Sequence, residues 1–271
     1  MNVIVFDTET VGVQTQSLLN IGYTIVDINP STAEVKHLIS RDYIVRNHYQ
    51  NEMLMLNDMF VGAEKWAVMK QNVDSGGAIL RNIPQIFTTM SNDIARYKPN
   101  FGFAYNCEFD TDKFEKTAIQ FGIANPIANI PIHDLWGYAY HYICTTPEYI
   151  AYMKAHELFT ETKRFIKTSV EGVTAYLNDN PNFTEEHTAL SDVGWELKIL
   201  QEVVKRGCDI TKPMRRGKSI PSGVVFTKTL VVEGEEIEVN YTKMSRKWDN
   251  ADRIEFINEV APPSANEGEG A

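Results

Sequence analysis

Val3-Ile4-Val5-Phe6-Asp7-Thr8-Glu9-Thr10, near the start of the chain, places two acids directly after an apolar, β-branched run. The apolar run predicts a buried strand. Residues two apart on a strand point to the same side, so Asp7 and Glu9 present two carboxylates together. Carboxylates that close repel each other unless a cation neutralises them, and their oxygens suit Mg²⁺ or Mn²⁺. The stretch therefore predicts half of a metal site.

Length and composition limit the possible functions. The chain has 271 residues, 43% of them apolar, which suits one α/β domain with extensions. Its net charge of -10 argues against a general binder of duplex nucleic acid, because phosphate affinity comes from Lys and Arg. A nuclease that holds only a strand end avoids this objection, since its metal ions supply local positive charge.

The cysteines and the hydropathy pattern indicate the compartment. Cys107, Cys144 and Cys208 are widely spaced and form no CxxC pair, which predicts free thiols in a reducing environment. The chain opens on a strand without a basic and apolar leader, and no apolar run is long enough to span a membrane. We therefore expect a cytoplasmic protein.

The order of predicted elements indicates an α/β fold with a mixed five-stranded sheet flanked by helices. Three strands joined by short links predict an antiparallel meander, and the later strands alternate with helices and are expected to be parallel. The predicted strands are 3–8, 18–28, 35–45, 101–105 and 131–136. The predicted helices are 47–71, 78–97, 106–121 and an interrupted helical region up to 206.

The chain divides by composition into three parts. Residues 1–206 form the predicted main domain, with 137–167 as a helical elaboration. Residues 207–260 begin with a basic linker and continue into two alternating runs around Glu233-Gly234-Glu235, which predict a β-hairpin. Residues 261–271 have the composition of a disordered tail. The hairpin could cover a sheet edge, contact substrate or mediate oligomerisation, and the oligomeric state stays open.

Later polar residues are candidates to complete the metal site. Asp110 follows a strand and opens a helix, a common position for site residues in α/β folds, although a solvated acid in a first helical turn is the simpler interpretation. His187 and Asp192 are five residues apart, which on a continuous helix separates them by about 140°. They converge only if His187 precedes the helix that carries Asp192. A neutral His there suits a general base, and a surface His is the alternative.

These motifs, taken in order, resemble those of the DnaQ-like (DEDDh) 3′→5′ exonuclease family. They are Phe6-Asp7-Thr8-Glu9-Thr10, Asn106-x-x-Phe109-Asp110 and His187-x4-Asp192, which together extend over about residues 1–206. The His with four intervening residues marks the DEDDh branch. The resemblance implies an RNase H-like fold, two Mg²⁺ or Mn²⁺ ions, and single-stranded DNA or RNA 3′ ends as substrate. Tyr105 departs from the family, whose members often have His there.

The resemblance also implies roles for individual residues. Asp7 would bridge both metal ions, Glu9 and Asp192 would complete the position that activates the attacking water, and Asp110 would hold the second ion. His187 would take the proton from the water. The remaining motif residues are expected to contact substrate, and the basic run 205–218 would bind phosphates or be a solvated linker. The predicted substrate-binding residues are Thr8, Thr10, Asn106, Phe109, Arg215 and Arg216.

Three other functions compete with a DNA exonuclease. A haloacid dehalogenase-type phosphatase also begins with a strand and Asp, but its chemistry needs Asp where this chain has Glu9. An exoribonuclease would use the same site, because nothing in the motifs reports on contacts to the 2′-OH. A catalytically inactive nucleic-acid-binding member of the fold would be expected to have lost a ligand, and none of the candidates is missing. We therefore expect an exonuclease that favours DNA.

Overall fold

A computed structural model describes residues 1–11, 17–58 and 61–224 in full, and the backbone of residues 226–232 and 235–241. The chain divides into two compact units. The first combines Met1–Leu158 with Lys167–Lys218, and the second combines Phe159–Ile166 with Ser219–Ala271. The predicted tail, 261–271, lies outside the described residues.

The first unit is built on a six-stranded mixed sheet of order β4-β3-β2-β1-β5-β6. Strands β1, β2 and β3 are antiparallel, whereas β4 pairs with β3, β5 with β1 and β6 with β5 in parallel. The α/β prediction of antiparallel strands followed by parallel ones is confirmed. The strands are β1 Asn2–Val11, β2 Ser17–Ile28, β3 Val35–Val45, β4 Ile79–Arg81, β5 Phe101–Ala104 and β6 Ile132–Asp134.

The predicted number of five strands was wrong because Ile79–Arg81 form an additional edge strand, β4. The apolar spacing of residues 78–97 hides this boundary, since Ile79 falls in phase with the helix that follows. That helix begins only at Ile83, after the N-cap residue Asn82, whose backbone N–H donates to Oε1 of Gln85 at 3.2 Å. Three strand residues are too few to show an alternating pattern of their own.

Helices cover both faces of the sheet, and two predicted helical regions were wrong in detail. Residues 47–71 form three short helices, and the elaboration 137–167 is helical only as far as Ala155. The helices are α1 Arg46–Tyr49, α2 Glu52–Asn57, α3 Gly62–Asp74, α4 Ile83–Tyr97, α5 Cys107–Phe121, α6 Leu135–Ala139, α7 Pro147–Ala155, α8 Val170–Leu177 and α9 Ala189–Lys205, with a π-helical turn at Tyr140–Cys144.

The core lies between the sheet and its helices. Phe6 of β1 packs edge-on against Phe114 of α5, in a cluster that also contains Phe87 of α4. A second cluster joins Leu19 of β2 to Trp66 of α3. Helix α9 packs on β1 and β2. Burial of these apolar side chains fixes α3, α5 and α9 around the end of β1 that carries the two acids.

The second unit contains its own short pairings. Phe159 bridges Ile166, and Phe165 bridges Pro221, both antiparallel. Strand β7, Phe226–Val232, pairs antiparallel with β8, Glu235–Tyr241. The predicted turn residues Glu233 and Gly234 lie outside the described residues.

The cysteines and the helices bear on the predicted compartment. All three cysteines are free thiols, as predicted. None of the helices in the described part of the chain has the length and apolar character that crossing a bilayer requires.

Candidate metal centre

Strand β1 carries Asp7 and Glu9 at the centre of the sheet, where its register pairs them with Gly22 and Asn20 of β2. A Cβ atom added at Gly22 would overlap the backbone of Ala189, the first residue of α9. Glycine at this position therefore lets the start of α9 approach the strand beside the two acids. The approach brings the residues around the α9 N-terminus to the site.

Asp110 lies in the first turn of α5 and is tied to β1. Its Oδ1 accepts hydrogen bonds from the backbone N–H of Thr8 at 2.9 Å and from the Thr8 hydroxyl at 2.7 Å. Because Thr8 lies between Asp7 and Glu9 in sequence, these bonds place the third carboxyl next to the first two. The simpler interpretation of Asp110 as a solvated acid is wrong, since the residue is only 2% exposed.

His187 lies before α9, which begins at Ala189 with Thr188 as its N-cap. The backbone of His187 is left-handed, with φ +52°, an uncommon conformation for a non-glycine residue, so the chain turns there instead of continuing the helix. Oδ1 of Asn20 accepts a hydrogen bond from the Ala189 N–H at 2.8 Å, which satisfies a free donor of the helix start. His187 therefore precedes the helix that carries Asp192, which is the condition under which the two side chains can converge.

Glu9, His187 and Asp192 form a group that can hold a metal ion. One ligand atom from each side chain lies within 4.8 Å of the other two. A cation, Lys65, also belongs to this group, because its Nζ lies 2.7 Å from Oε2 of Glu9. We call these four residues the Glu9 half of the site.

A further carboxyl, Glu196, was not predicted from the sequence. It lies one turn beyond Asp192 on α9 and is 2% exposed. One of its oxygens accepts a hydrogen bond from the Tyr105 N–H at 3.0 Å, whereas Oε2 has no hydrogen-bond partner within the described chain. We call Asp7, Asp110 and Glu196 the Asp7 half. The four-residue spacing from Asp192 on a predicted helix is the signal that could have identified Glu196.

Burial and mutual repulsion raise the pKa of every carboxyl in the Asp7 half. Desolvation is the largest cause for Asp7, followed by the charges of Asp110 and Glu196. Desolvation raises the pKa of Asp110 to about 7, although the Thr8 hydrogen bonds oppose it. Desolvation and then Asp110 raise the pKa of Glu196 well above its ordinary value. Three carboxylates cannot all ionise here without a nearby cation.

The Glu9 half differs because it contains Lys65. Desolvation raises the pKa of Glu9, but the Lys65 charge is the largest influence that opposes it. Desolvation, then Glu185 and Glu9, raise the pKa of Asp192 to about 8, and Lys65 again acts to lower it. Glu185, whose pKa burial raises to about 7, is a further acid that the motifs did not reveal. An internal ammonium therefore already offsets part of the negative charge in this half.

The donors of the site fit a hard divalent cation. Oδ1 of Asp192 and Oε2 of Glu196 are buried without a hydrogen-bond partner in the described structure, although buried polar atoms normally have one. Carboxylate oxygens are the ligands that Mg²⁺ and Mn²⁺ prefer. The fit therefore rests on buried carboxyl oxygens that have no hydrogen-bond partner in the described structure and that lie among other carboxyl groups.

The predicted substrate-binding residues of the two motifs differ in accessibility. Thr8 and Thr10 are buried, and the Thr8 hydroxyl is engaged by Asp110, so Thr8 positions a carboxyl. Asn106 and Phe109 are exposed at the start of α5, where Asn106 is left-handed, with φ +62°. Of these four residues, only Asn106 and Phe109 of the second motif are therefore accessible to a substrate.

The predicted phosphate-binding arginines lie at the surface. Both Arg215 and Arg216 are exposed, and the Arg216 guanidinium lies 3.8 Å from the centre of the Trp136 ring. The Trp136 ring also stacks on Tyr105, which is buried and donates its hydroxyl to the Thr168 carbonyl. The structure therefore holds Arg216 against the Trp136 ring, and Tyr105 is a packing residue.

Compared with known proteins, the chain matches no protein-family model and no curated protein sequence. Its candidate chemistry rests on its own residues.

Proposed function

We propose that this protein is a metal-dependent 3′→5′ exonuclease that hydrolyses single-stranded 3′ ends, DNA in preference to RNA, and releases nucleoside 5′-monophosphates. The observation that carries the proposal is the convergence of polar residues from β1, the start of α5 and the start of α9 in one buried cluster. The mixed sheet is compatible with the RNase H-like fold that the DEDDh resemblance implies. Buried carboxyls without partners destabilise a protein core, so core packing alone does not account for this cluster.

The residues of the cluster have distinct roles in this reaction. Asp7, Glu9, Asp110 and Asp192 would hold two divalent cations, which when bound neutralise the phosphodiester charge and align the attacking and leaving oxygens. His187 is exposed beside Glu9 and Asp192, so a water molecule can reach its ring. A neutral imidazole at that position would accept the proton of the attacking water.

The exposed residues around the cluster would hold the substrate strand. The ring of Phe109 is accessible next to Asp110, and an aromatic ring stacks on any base. Arg215 and Arg216 would contact backbone phosphates, with Arg216 held in place by Trp136. An end-binding site of this kind needs few cations, which agrees with the acidic charge of the chain.

The test is a side-by-side assay on 5′-labelled single-stranded DNA and RNA of the same sequence. We expect stepwise shortening with Mg²⁺ or Mn²⁺, none with EDTA, and nucleoside 5′-monophosphates as product. Asp110→Asn protein, purified in parallel, controls for contaminating nucleases. Shortening of RNA alone would identify an exoribonuclease. Binding of either strand without shortening would identify an inactive binding protein. The absence of both binding and shortening, with DNA and with RNA, would refute the proposal.

A further inference from the structure

Lys65 is placed where a metal ion would otherwise act on Glu9. Its Nζ contacts Oε2 of Glu9 at 2.7 Å, and the two side chains are only 12% and 18% exposed. Glu9 is also one of the three residues whose ligand atoms lie within 4.8 Å of one another. The same carboxylate therefore faces both the ammonium group and the candidate metal position.

The setting of Lys65 indicates that this contact is more than a surface ion pair. Surface pairs contribute little because water screens them, whereas both side chains of this pair are largely buried. The Lys65 charge also opposes the raised pKa values of Asp192 and Glu185. One ammonium thus serves a group of carboxyls, which is the electrostatic role that a bound cation would have.

We propose that Lys65 is a built-in counter-ion that competes with the metal ion for Glu9, so that metal binding in the Glu9 half requires displacement of its ammonium group. Two cations held by one carboxylate in a shielded site repel each other strongly. The four-carbon stem of Lys65 lets the ammonium swing away while α3 stays in place. The inference rests on the proposed metal-dependent function and makes Lys65 a positioning residue.

The competition makes the two cation positions unequal. In the Asp7 half, the largest charged influences on Asp7 are all carboxyl groups, so an incoming cation meets attraction from several sides. In the Glu9 half, an incoming cation must first separate Glu9 from Lys65. We therefore expect one tighter and one weaker ion, and we assign the weaker ion to the Glu9 half.

The test measures Mn²⁺ binding to the full chain by calorimetry and by electron paramagnetic resonance, without substrate. Lys65→Met, which keeps the length of the side chain and removes its charge, should tighten the weaker ion about tenfold or more. Lys65→Arg keeps the charge and should stay close to wild type. Lys70→Met is the matched control, since Lys70 lies on the same helix but pairs with Glu52 and Trp66.

The outcomes separate the two proposals. Unchanged or weaker Mn²⁺ binding by folded Lys65→Met protein overturns the role of Lys65 and leaves the nuclease proposal standing. Absence of Mn²⁺ binding by every variant overturns both. Should Lys65→Met fail to fold, NMR of wild-type protein with ¹³C-labelled lysine Cε tests the same competition. The Lys65 signal is assigned by its absence from the spectrum of Lys65→Arg. It must shift as Mg²⁺ binds, and a signal that stays in place refutes the competition.

Discussion

The two halves of the carboxyl cluster solve the same electrostatic problem in different ways. The Asp7 half leaves Asp7, Asp110 and Glu196 together in a desolvated space, where the two Thr8 hydrogen bonds are the largest influences that oppose the raised pKa of Asp110. The Glu9 half contains Lys65, which offsets part of the charge before any metal binds. The difference shows that the carboxyl charge of one cluster can be partly offset by a lysine in one half, while the other half consists of acids alone.

The largest effect is expected from Asp7→Asn, because the largest charged influences on Asp7 are all carboxyl groups and Asp7 is proposed to contact both ions. Loss of its charge should reduce exonuclease turnover by about 10³-fold or more, since both alignment and charge neutralisation fail. The metal-free variant should be at least as heat-stable as wild type, because a repelled buried acid is removed. Single-turnover assays and thermal unfolding check both expectations. Full turnover by this variant would show that the site is misassigned.

His187→Ala tests the Glu9 half, and its effect should be smaller. Removal of a general base typically lowers turnover by about 10²- to 10⁴-fold, while the carboxyls that hold the ions remain. We expect reduced turnover with Mn²⁺ binding preserved, as measured by calorimetry on the same preparation. Loss of Mn²⁺ binding would instead make His187 a ligand, as its position beside Glu9 and Asp192 allows.

Gly22→Ala would disturb the Glu9 half through the backbone. The added Cβ overlaps Ala189 at the start of α9, so the helix must shift at a cost of about 1–3 kcal/mol. We expect a lower midpoint in urea and weaker binding of the second Mn²⁺ ion. The control is Gly194→Ala on the same helix, where a Cβ meets nothing within 4 Å. It should stabilise the protein by about 0.5–1 kcal/mol, and equal effects of the two changes would contradict the close approach at Gly22.

The smallest effect is expected from pH on the metal-free protein. A carboxyl whose pKa is raised by folding favours the folded state below its ordinary pKa and loses that contribution as pH rises through the folded value. These values are about 7 for Asp110 and about 8 for Asp192. The melting temperature should therefore fall by several degrees from about pH 5 to about pH 8.5, and saturating Mg²⁺ should restore it.

The control for this pH effect is Asp192→Asn, which should show a shallower fall of the melting temperature. A melting temperature that is flat or rises between the same pH values would mean that the carboxyls of the cluster are better neutralised than their surroundings indicate.

Much of the fold could be predicted from local patterns. The alternation and β-branched content of β1, β2 and β3 act over a few residues, so the antiparallel meander is visible in the sequence. The edge strand β4 was missed because Ile79–Arg81 become a strand only by pairing with β3. Pairing of that kind depends on distant residues and leaves no local pattern.

The candidate residues divide in the same way. The pairing of Asp7 and Glu9 could be predicted from their two-residue spacing on one strand. The five-residue spacing of His187 and Asp192 required His187 to precede α9 if the two side chains were to converge. Burial of Asp110 through Thr8 could not be predicted, because the hydrogen bonds join residues about one hundred positions apart. Whether an acid is solvated or desolvated depends on what packs over it.

The sequence by itself determined the two acids of β1, the meander that carries them and the order of the later motifs, because periodicity and residue chemistry are local properties. Only the tertiary structure decided that Glu196 joins the Asp7 half and that Lys65 joins the Glu9 half. Both depend on the packing of α9 and α3 around the end of β1. That packing is a collective result of burying apolar surface, which no short stretch of sequence reports.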